Sequence, residues 1–304
     1  MAHDIYWDNT SGKDFFKSLL WDVFDTTKRE AMYEAETMVK HVKKTDEFER
    51  RARIAGITGM EKIADGQAIP LAETPRPDTK EYEQERYGLG FEITAGMKKF
   101  NKYGIMKDLT AKLSKHMREE KDIEIAKIFN NATSATYYTG FDALALASSA
   151  HLCKDDGGTT YDNYLDAALG VSSFESATVY FDTLVDDDGY PMVKKPSHLW
   201  VNPQLRWEAR EILGSELTPY KGDNTKNIAT EYDLSLFVYH RLTSPTSWGM
   251  IAKDSDYDIF VMTTEEPDLK VQDAPDTSRN TIVTSHQWFK PGFGDSRGFF
   301  LGDA

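Results

Sequence analysis

The residues of this chain with the means to do chemistry are few and scattered. His151-x-Cys153 sets an imidazole beside the only thiol of the chain, a pairing that suits an activated cysteine or half of a metal site. Two ligands do not close a zinc site, and no HxxxH, CxxC or HExxH spacing supplies the others. The acidic run Asp186-Asp187-Asp188-Gly189 invites a calcium loop. Aligning Gly189 with the turn glycine of an EF-hand puts Leu184 at the first ligand position and Lys195 at the last, where a bidentate glutamate is required. There is no G-x-S-x-G elbow, and Gly88-Leu89-Gly90 lacks the third glycine and the helix start of a phosphate cradle. An α/β enzyme centred on His151, Cys153 and the Asp186 turn is thus left without convergent partners. The sequence predicts no catalytic, cofactor-binding or metal-ligating residues.

The totals fit a protein that works by packing. At 304 residues, 40% apolar and 12% aromatic, the chain has material for two lobes, or for one lobe with long extensions. A formal charge of −14 argues against a broad basic face that grips nucleic acid, although passive contact is compatible with it. A lone cysteine excludes an intramolecular disulfide. No stretch approaches the ~20 apolar residues of a membrane span, and Met1 to Asp14 lacks the basic start and apolar run of an export signal, so a cytosolic product is expected.

The elements that would position any site follow from periodicity. Phe15, Phe16, Leu19, Leu20, Val23 and Phe24 mark one face of an amphipathic helix, which packs either on its own core or on a neighbouring chain. The charged stretch Thr27–Lys44 reads as a solvated continuation of that helix. Between Gly56 and Ala95, Gly59, Gly66, Pro70, Pro75 and Pro77 exclude regular helix, and the alternation from Tyr82 to Thr94 reads as strand. The result is a long acidic hairpin or flap with too few apolar residues to bury itself, suited to contact with another chain. Ile105 to Asn130 reads as a helix about 39 Å long, with Ile105, Leu109, Leu113, Met117, Ile125, Ile128 and Phe129 on its stripe and His116 packed at the edge.

A small-residue segment, Gly140 to His151, then runs into the Gly157-Gly158-Thr159-Thr160 loop. Ser172 and Glu175 have capping-box spacing ahead of a helix whose face carries Phe174, Ala177, Phe181, Leu184 and Val185. His198–Val201 reads as a buried strand, Asn202-Pro203 as the entry to a helix, and Leu234–His240 and Trp248–Ala252 as strands. After Tyr257, four short strands are expected at Ile259–Met262, Asp268–Val271, Thr281–Thr284 and Trp288–Phe289, with the long helix covering one face.

In their order, the segments Leu144–His151, Gly157–Thr160, Asp186–Pro191 and Arg210–Leu217 resemble the major capsid proteins of tailed double-stranded DNA phages. The likeness is to the Hong Kong 97-type fold and especially to Mu-type major head subunits, and it covers nearly the whole chain. The resemblance implies an α+β fold with an N-terminal arm (1–55), an extended E-loop (56–95), a peripheral domain (96–136 and 255–304) containing the spine helix 105–130, and an apical domain (137–254). It implies a shell subunit of the virion head, assembled in the host bacterial cytoplasm into hexamers and pentamers around packaged DNA. Partners implied are further copies, a separate scaffolding protein (since only about 50 residues precede the E-loop), a portal, a decoration protein and passive lumenal contact with double-stranded DNA, with no membrane. Inter-subunit contacts are then expected from Glu73, Arg76, Lys80, Glu81, Glu83, Glu85 and Arg86 of the E-loop and from Phe15, Phe16, Leu19 and Leu20 of the arm. Some such shells weld subunits by a lysine–asparagine isopeptide bond, for which Lys62, Lys80 and Asn280 supply only common residue types. An encapsulin-like compartment shell is the alternative with the same fold.

Overall fold

The four-residue spacing of Phe16, Leu20 and Phe24 becomes helix α1 (Thr10–Glu30), which buries those three side chains and leaves Lys17, Ser18, Trp21 and Asp22 outside. After it come β1 (Lys40–Lys43), β2 (Phe48–Arg53), β3 (Asp78–Glu83), β4 (Glu85–Ile93), α2 (Ala95–Lys99) and the spine α3 (Tyr103–Asn130). The middle of the chain holds β5 (His151–Leu152), β6 (Thr160–Tyr161), β7 (Tyr164–Asp166), α4 (Val171–Thr183), β8 (His198–Val201), α5 (Arg206–Gly214), β9 (Ser235–Val238) and β10 (Trp248–Ile251). Strands β11 (Ile259–Asp273), β12 (Thr281–Phe293) and β13 (Phe299–Asp303) complete it. This computed structural model describes residues 10–30, 34–53, 62–63, 65–69, 71, 78–100, 102–152, 160–187, 189–219, 226–252, 259–274 and 279–304.

One lobe is built on a four-stranded sheet in the order β1-β11-β12-β4, with α1 and α3 packed on it. The face of α1 meets Ile93, Met106, Leu113, Leu269 and Val283 within the same chain. At about 1.5–3 kcal/mol per fully buried large apolar side chain, that contact fixes the helix here. Phe16 and Leu20, expected to contact a neighbouring subunit, pack here within their own chain; Leu19 is half-buried, and the side chain of Phe15 lies outside the described residues. The expected helical continuation to Lys44 is corrected. Ala35, Met38 and Val39 turn into the main core, and Lys40–Lys43 runs extended and parallel to Phe260–Thr263.

The four short strands expected near the C-terminus are two long ones. Ile259 pairs with Phe293 and Asp273 with Thr281 at the two ends of one antiparallel ladder. Register shifts between Thr263 and Glu265, and between Glu265 and Asp268, carry Pro267, which has no N–H to donate, without ending the strand.

Along α3 the buried positions are Met106, Thr110, Leu113, Ser114, Met117 and then Ile125, Ile128 and Phe129. Ile105 is instead exposed, because the first turn is rotated to put Met106 under α1. The Ser114 hydroxyl donates to the Phe24 carbonyl at 2.9 Å, tying spine to arm. His116, expected at a packed edge, is exposed and pairs with Glu119 at 3.0 Å.

The second lobe carries a five-stranded sheet in the order β7-β13-β10-β8-β9, with Phe174, Ala177 and Phe181 of α4 and Ala209 and Ile212 of α5 buried against Leu199, Val201, Trp248 and Met250. Strand β13 lies inside this sheet, between β7 and β10, so residues 299–303 pair with strands from the middle of the chain. Gly249 is required there: a Cβ would collide with the Phe300 carbonyl and the Trp200 ring. Helix α4 starts two residues earlier than the Ser172–Glu175 box implies. Gly170 is its N-cap, and the Ser173 hydroxyl accepts from the Gly170 N–H at 2.8 Å. Phe129 joins the lobes, with its ring 5.3 Å from Trp200 and 6.0 Å from Phe299.

Candidate assembly surfaces and a buried polar seam

Of the residues first singled out for chemistry, His151 lies in a sealed polar cluster. His151, at 0% exposure, stacks on Tyr161 with ring centroids 5.0 Å apart. Its Nδ1 faces Asp142 Oδ2 at 2.6 Å and Ser296 Oγ at 3.3 Å, while Nε2 lies 3.3 Å from the Leu146 carbonyl. A Ser–His–Asp relay needs the serine and the carboxylate on opposite ring nitrogens; here both lie on one. The ring is a structural donor. Cys153 and Asp188 lie outside the described residues, and among the described residues no group of three metal-ligating side chains forms.

The same cluster extends through Tyr161, whose hydroxyl meets Ser296 Oγ at 2.8 Å, to Asp295 and Arg297. The Arg297 guanidinium, 1% exposed, pairs with Asp187 and lies 3.6 Å from Asp295 Oδ2. Asn163, also fully buried, donates to the carbonyls of Leu146, Ser296 and Phe299. Burial alone would raise the Asp142 carboxyl; the His151 hydrogen bond and charge and the Leu144 N–H outweigh it and hold the carboxyl below its ordinary value. Asp295, Ser296 and Arg297 form the short crossing from β12 to β13, so this network locks the junction between the two sheets.

The flap has the opposite character. Its base is an antiparallel pair, with Phe48 opposite Glu83 and Arg53 opposite Asp78, so β2 pairs with its return strand. Tyr82 anchors it: the ring stands edge-on to Phe260 at 5.1 Å, and the hydroxyl donates to the Phe293 carbonyl at 2.6 Å. Gly292 makes room, because a Cβ there would sit 2.9 Å from the Tyr82 ring. Toward the tip, Ile69 is 76% and Leu71 93% exposed. Among the described residues, nothing covers those two side chains.

Of the expected E-loop contacts, Glu73 and Arg76 lie outside the described residues. Lys80 donates to Thr139, Glu81 pairs with Arg50, and Glu85 pairs with Lys290 and accepts from Tyr87, all within the chain. Glu83 and Arg86 are exposed, with Arg86 5.8 Å over the Trp288 ring. Glu85 and Arg86 stand on β4, which pairs with β12 in the main sheet, so that half of the expected flap is framework. Asn280, one of the crosslink residue types, donates to Glu92 at 2.7 Å and accepts from the Ala95 N–H at 2.9 Å. Lys62 is exposed. The polar seam has no signature in spacing, since Asp142, Tyr161, Asp187 and Arg297 meet only after folding; the flap-tip residues Ile69 and Leu71 were missed, although isolated hydrophobes among Gly and Pro are the signal that could have found them.

The chain is similar to several solved shell subunits. The capsid of cyanophage P-SCSP1u has a TM-score of 0.63 at 7% identity, covering 90% of this chain and 88% of that one. The capsid of an empty GTA particle has a TM-score of 0.59 at 10% identity over 89% of each chain. A virus-like particle from Pyrococcus furiosus has a TM-score of 0.53 at 8% identity over 94% of this chain and 98% of that one. At such identities the likeness concerns fold, which is the Hong Kong 97-type capsid fold expected from the sequence. No curated protein sequence matches. Residues 77–301, well over half of the chain, match the family described as phage capsid protein, and the chain therefore belongs to the phage capsid protein family.

Proposed function

We propose that this protein is the major head subunit of a tailed phage, self-assembling into hexamers and pentamers of a shell that encloses double-stranded DNA. The family match over residues 77–301 carries the reading. The uncovered flap tip supports it, because Ile69 and Leu71 become buried only against another copy. The role is mechanical, not catalytic: the one cluster with the elements of a relay is sealed and wired as a brace. The subunit is assembled in the host cytoplasm on a separate scaffolding protein, around a portal, and its wall touches the packaged DNA passively. The net charge of −14 suits that, since an acidic subunit does not hold DNA through a broad basic face. A decoration protein is a further partner; the capsid of bacteriophage JBD30, similar at a TM-score of 0.57, is decorated with minor capsid protein trimers. An encapsulin complex from Synechococcus elongatus is also similar, at a TM-score of 0.53, but the family match favours a phage head over a cargo compartment.

Expression with and without the cognate scaffold, followed by negative-stain electron microscopy, tests the reading. Closed shells, or rings of five and six, are expected. A monodisperse monomer under both conditions would overturn it.

A further inference from the structure

We propose that the cavity between α3, β1 and the bulged part of β11 is an oxyanion site that takes a phosphate group. The inference rests on these residues alone and stands whether or not the chain builds a shell. The cavity, ≈ 210 Å³, is lined by His41 and Lys43 of β1, Arg118 and Lys121 of α3, and Thr263 and Glu266 of β11. Three permanent cations and a histidine thus face one carboxylate, in a chain whose overall charge is −14. That carboxylate is shared: Glu266 lies 3.9 Å from Lys121 Nζ and 3.9 Å from Lys28 Nζ. Lys121 is 5% exposed, with its ammonium 5.7 Å from the centre of the Phe289 ring. Cations converging from two elements, one of them buried, make a region of positive potential that favours an anion.

An independent observation lies at the same place. Thr263 is 4% exposed and lines the cavity, and its hydroxyl makes no hydrogen bond among the described residues. A buried hydroxyl without a partner is costly and rare. The local backbone explains its placement but not its isolation. Lys43 is in register with Thr263, the Lys44 N–H takes the Thr263 carbonyl at 3.2 Å, and the first register shift of β11 follows at once. An oxyanion between Lys43, Arg118 and Lys121 supplies the missing acceptor. Donors arriving from β1, α3 and β11 surround the space from three directions, which suits a tetrahedral anion with several acceptor oxygens. His41 and Lys43 are exposed at the mouth, so the phosphate can arrive as the free ion or as a phosphodiester of duplex DNA.

The test is titration of the full-length unassembled chain with inorganic phosphate at constant ionic strength balanced by chloride, followed by thermal unfolding and calorimetry. Saturable binding is expected. Thr263→Val, which keeps side-chain volume, should weaken it about tenfold. Lys43→Gln with Arg118→Gln, at positions that leave the core intact, should weaken it further, with far-ultraviolet circular dichroism verifying the fold of both variants. A short duplex that displaces phosphate assigns the site to DNA, and one that does not assigns it to the free ion; either upholds an oxyanion site. Equal stabilisation by chloride and phosphate, or wild-type affinity in both variants, would overturn it.

Discussion

The flap tip and the polar seam are both extremes of this chain, and they differ in whether the subunit is finished there. At the seam the polar side chains are paired with one another: His151 with Asp142, Tyr161 with Ser296 and Arg297 with Asp187, largely out of water. At the tip, large apolar side chains end in solvent. Polarity alone would have ranked these regions the other way round, with the charged cluster outside and Leu71 inside. What decides is pairing. Buried charge is tolerated where geometry compensates it, and an exposed apolar end persists where the compensating surface belongs to another molecule.

The sharpest break of that comparison is Arg297→Met. It leaves Asp187 and Asp295 as buried carboxylates without their cation, and about 3–5 kcal/mol of stability should be lost; urea unfolding of the unassembled subunit measures it, and a loss under 1 kcal/mol would mean the seam is not the brace described. Leu20→Ala comes next, at about 2–5 kcal/mol, and it separates the two roles of α1: if the helix serves its own core, the isolated subunit itself is weakened. Should only shell yield fall, the face works between subunits after all. Ile69→Asp with Leu71→Asp should leave subunit stability within about 0.5 kcal/mol while abolishing closed particles in electron micrographs. Full assembly by this variant would show the tip to be idle.

A smaller effect is set by pH. The Asp142 carboxyl is held below its ordinary value, so its contribution is complete above the unfolded-state value of about 4 and fades as pH falls through the folded one. Acid titration of stability should therefore be flatter in Asp142→Asn than in the native chain, and parallel curves would remove Asp142 from the account. The smallest change expected is Glu81→Gln, which opens an exposed pair with Arg50 and should cost less than about 1 kcal/mol.

Much of the framework is legible in residue order. The stripe from Leu113 to Phe129, the apolar run His198–Val201 and the Asn202-Pro203 cap all appear where periodicity puts them. The misreadings have local causes. Phe48–Arg53 is mostly charged, so nothing marks it as the partner strand of the flap base, and Pro267 disguises one long strand as two. The seam as a whole could not be read: His151 and Asp187 drew attention for other chemistry, while members up to 155 residues apart, such as Asp142 and Arg297, share no motif spacing. The arm shows a different limit: amphipathicity reveals that a face will be covered, not by which chain.

The place of β13 constrains when the subunit can become itself. Strand β13 separates β7 from β10, yet it is made after both. Until it has left the ribosome the five-stranded sheet lies in two pieces, and the Asp295-Ser296-Arg297 crossing that fastens the two sheets is not yet in place. A chain translated only as far as β12 therefore lacks the middle of that sheet, however many of its earlier helices have formed. Sequence order and spatial order disagree here, and closing the sheet waits on a pairing between residues far apart in the chain.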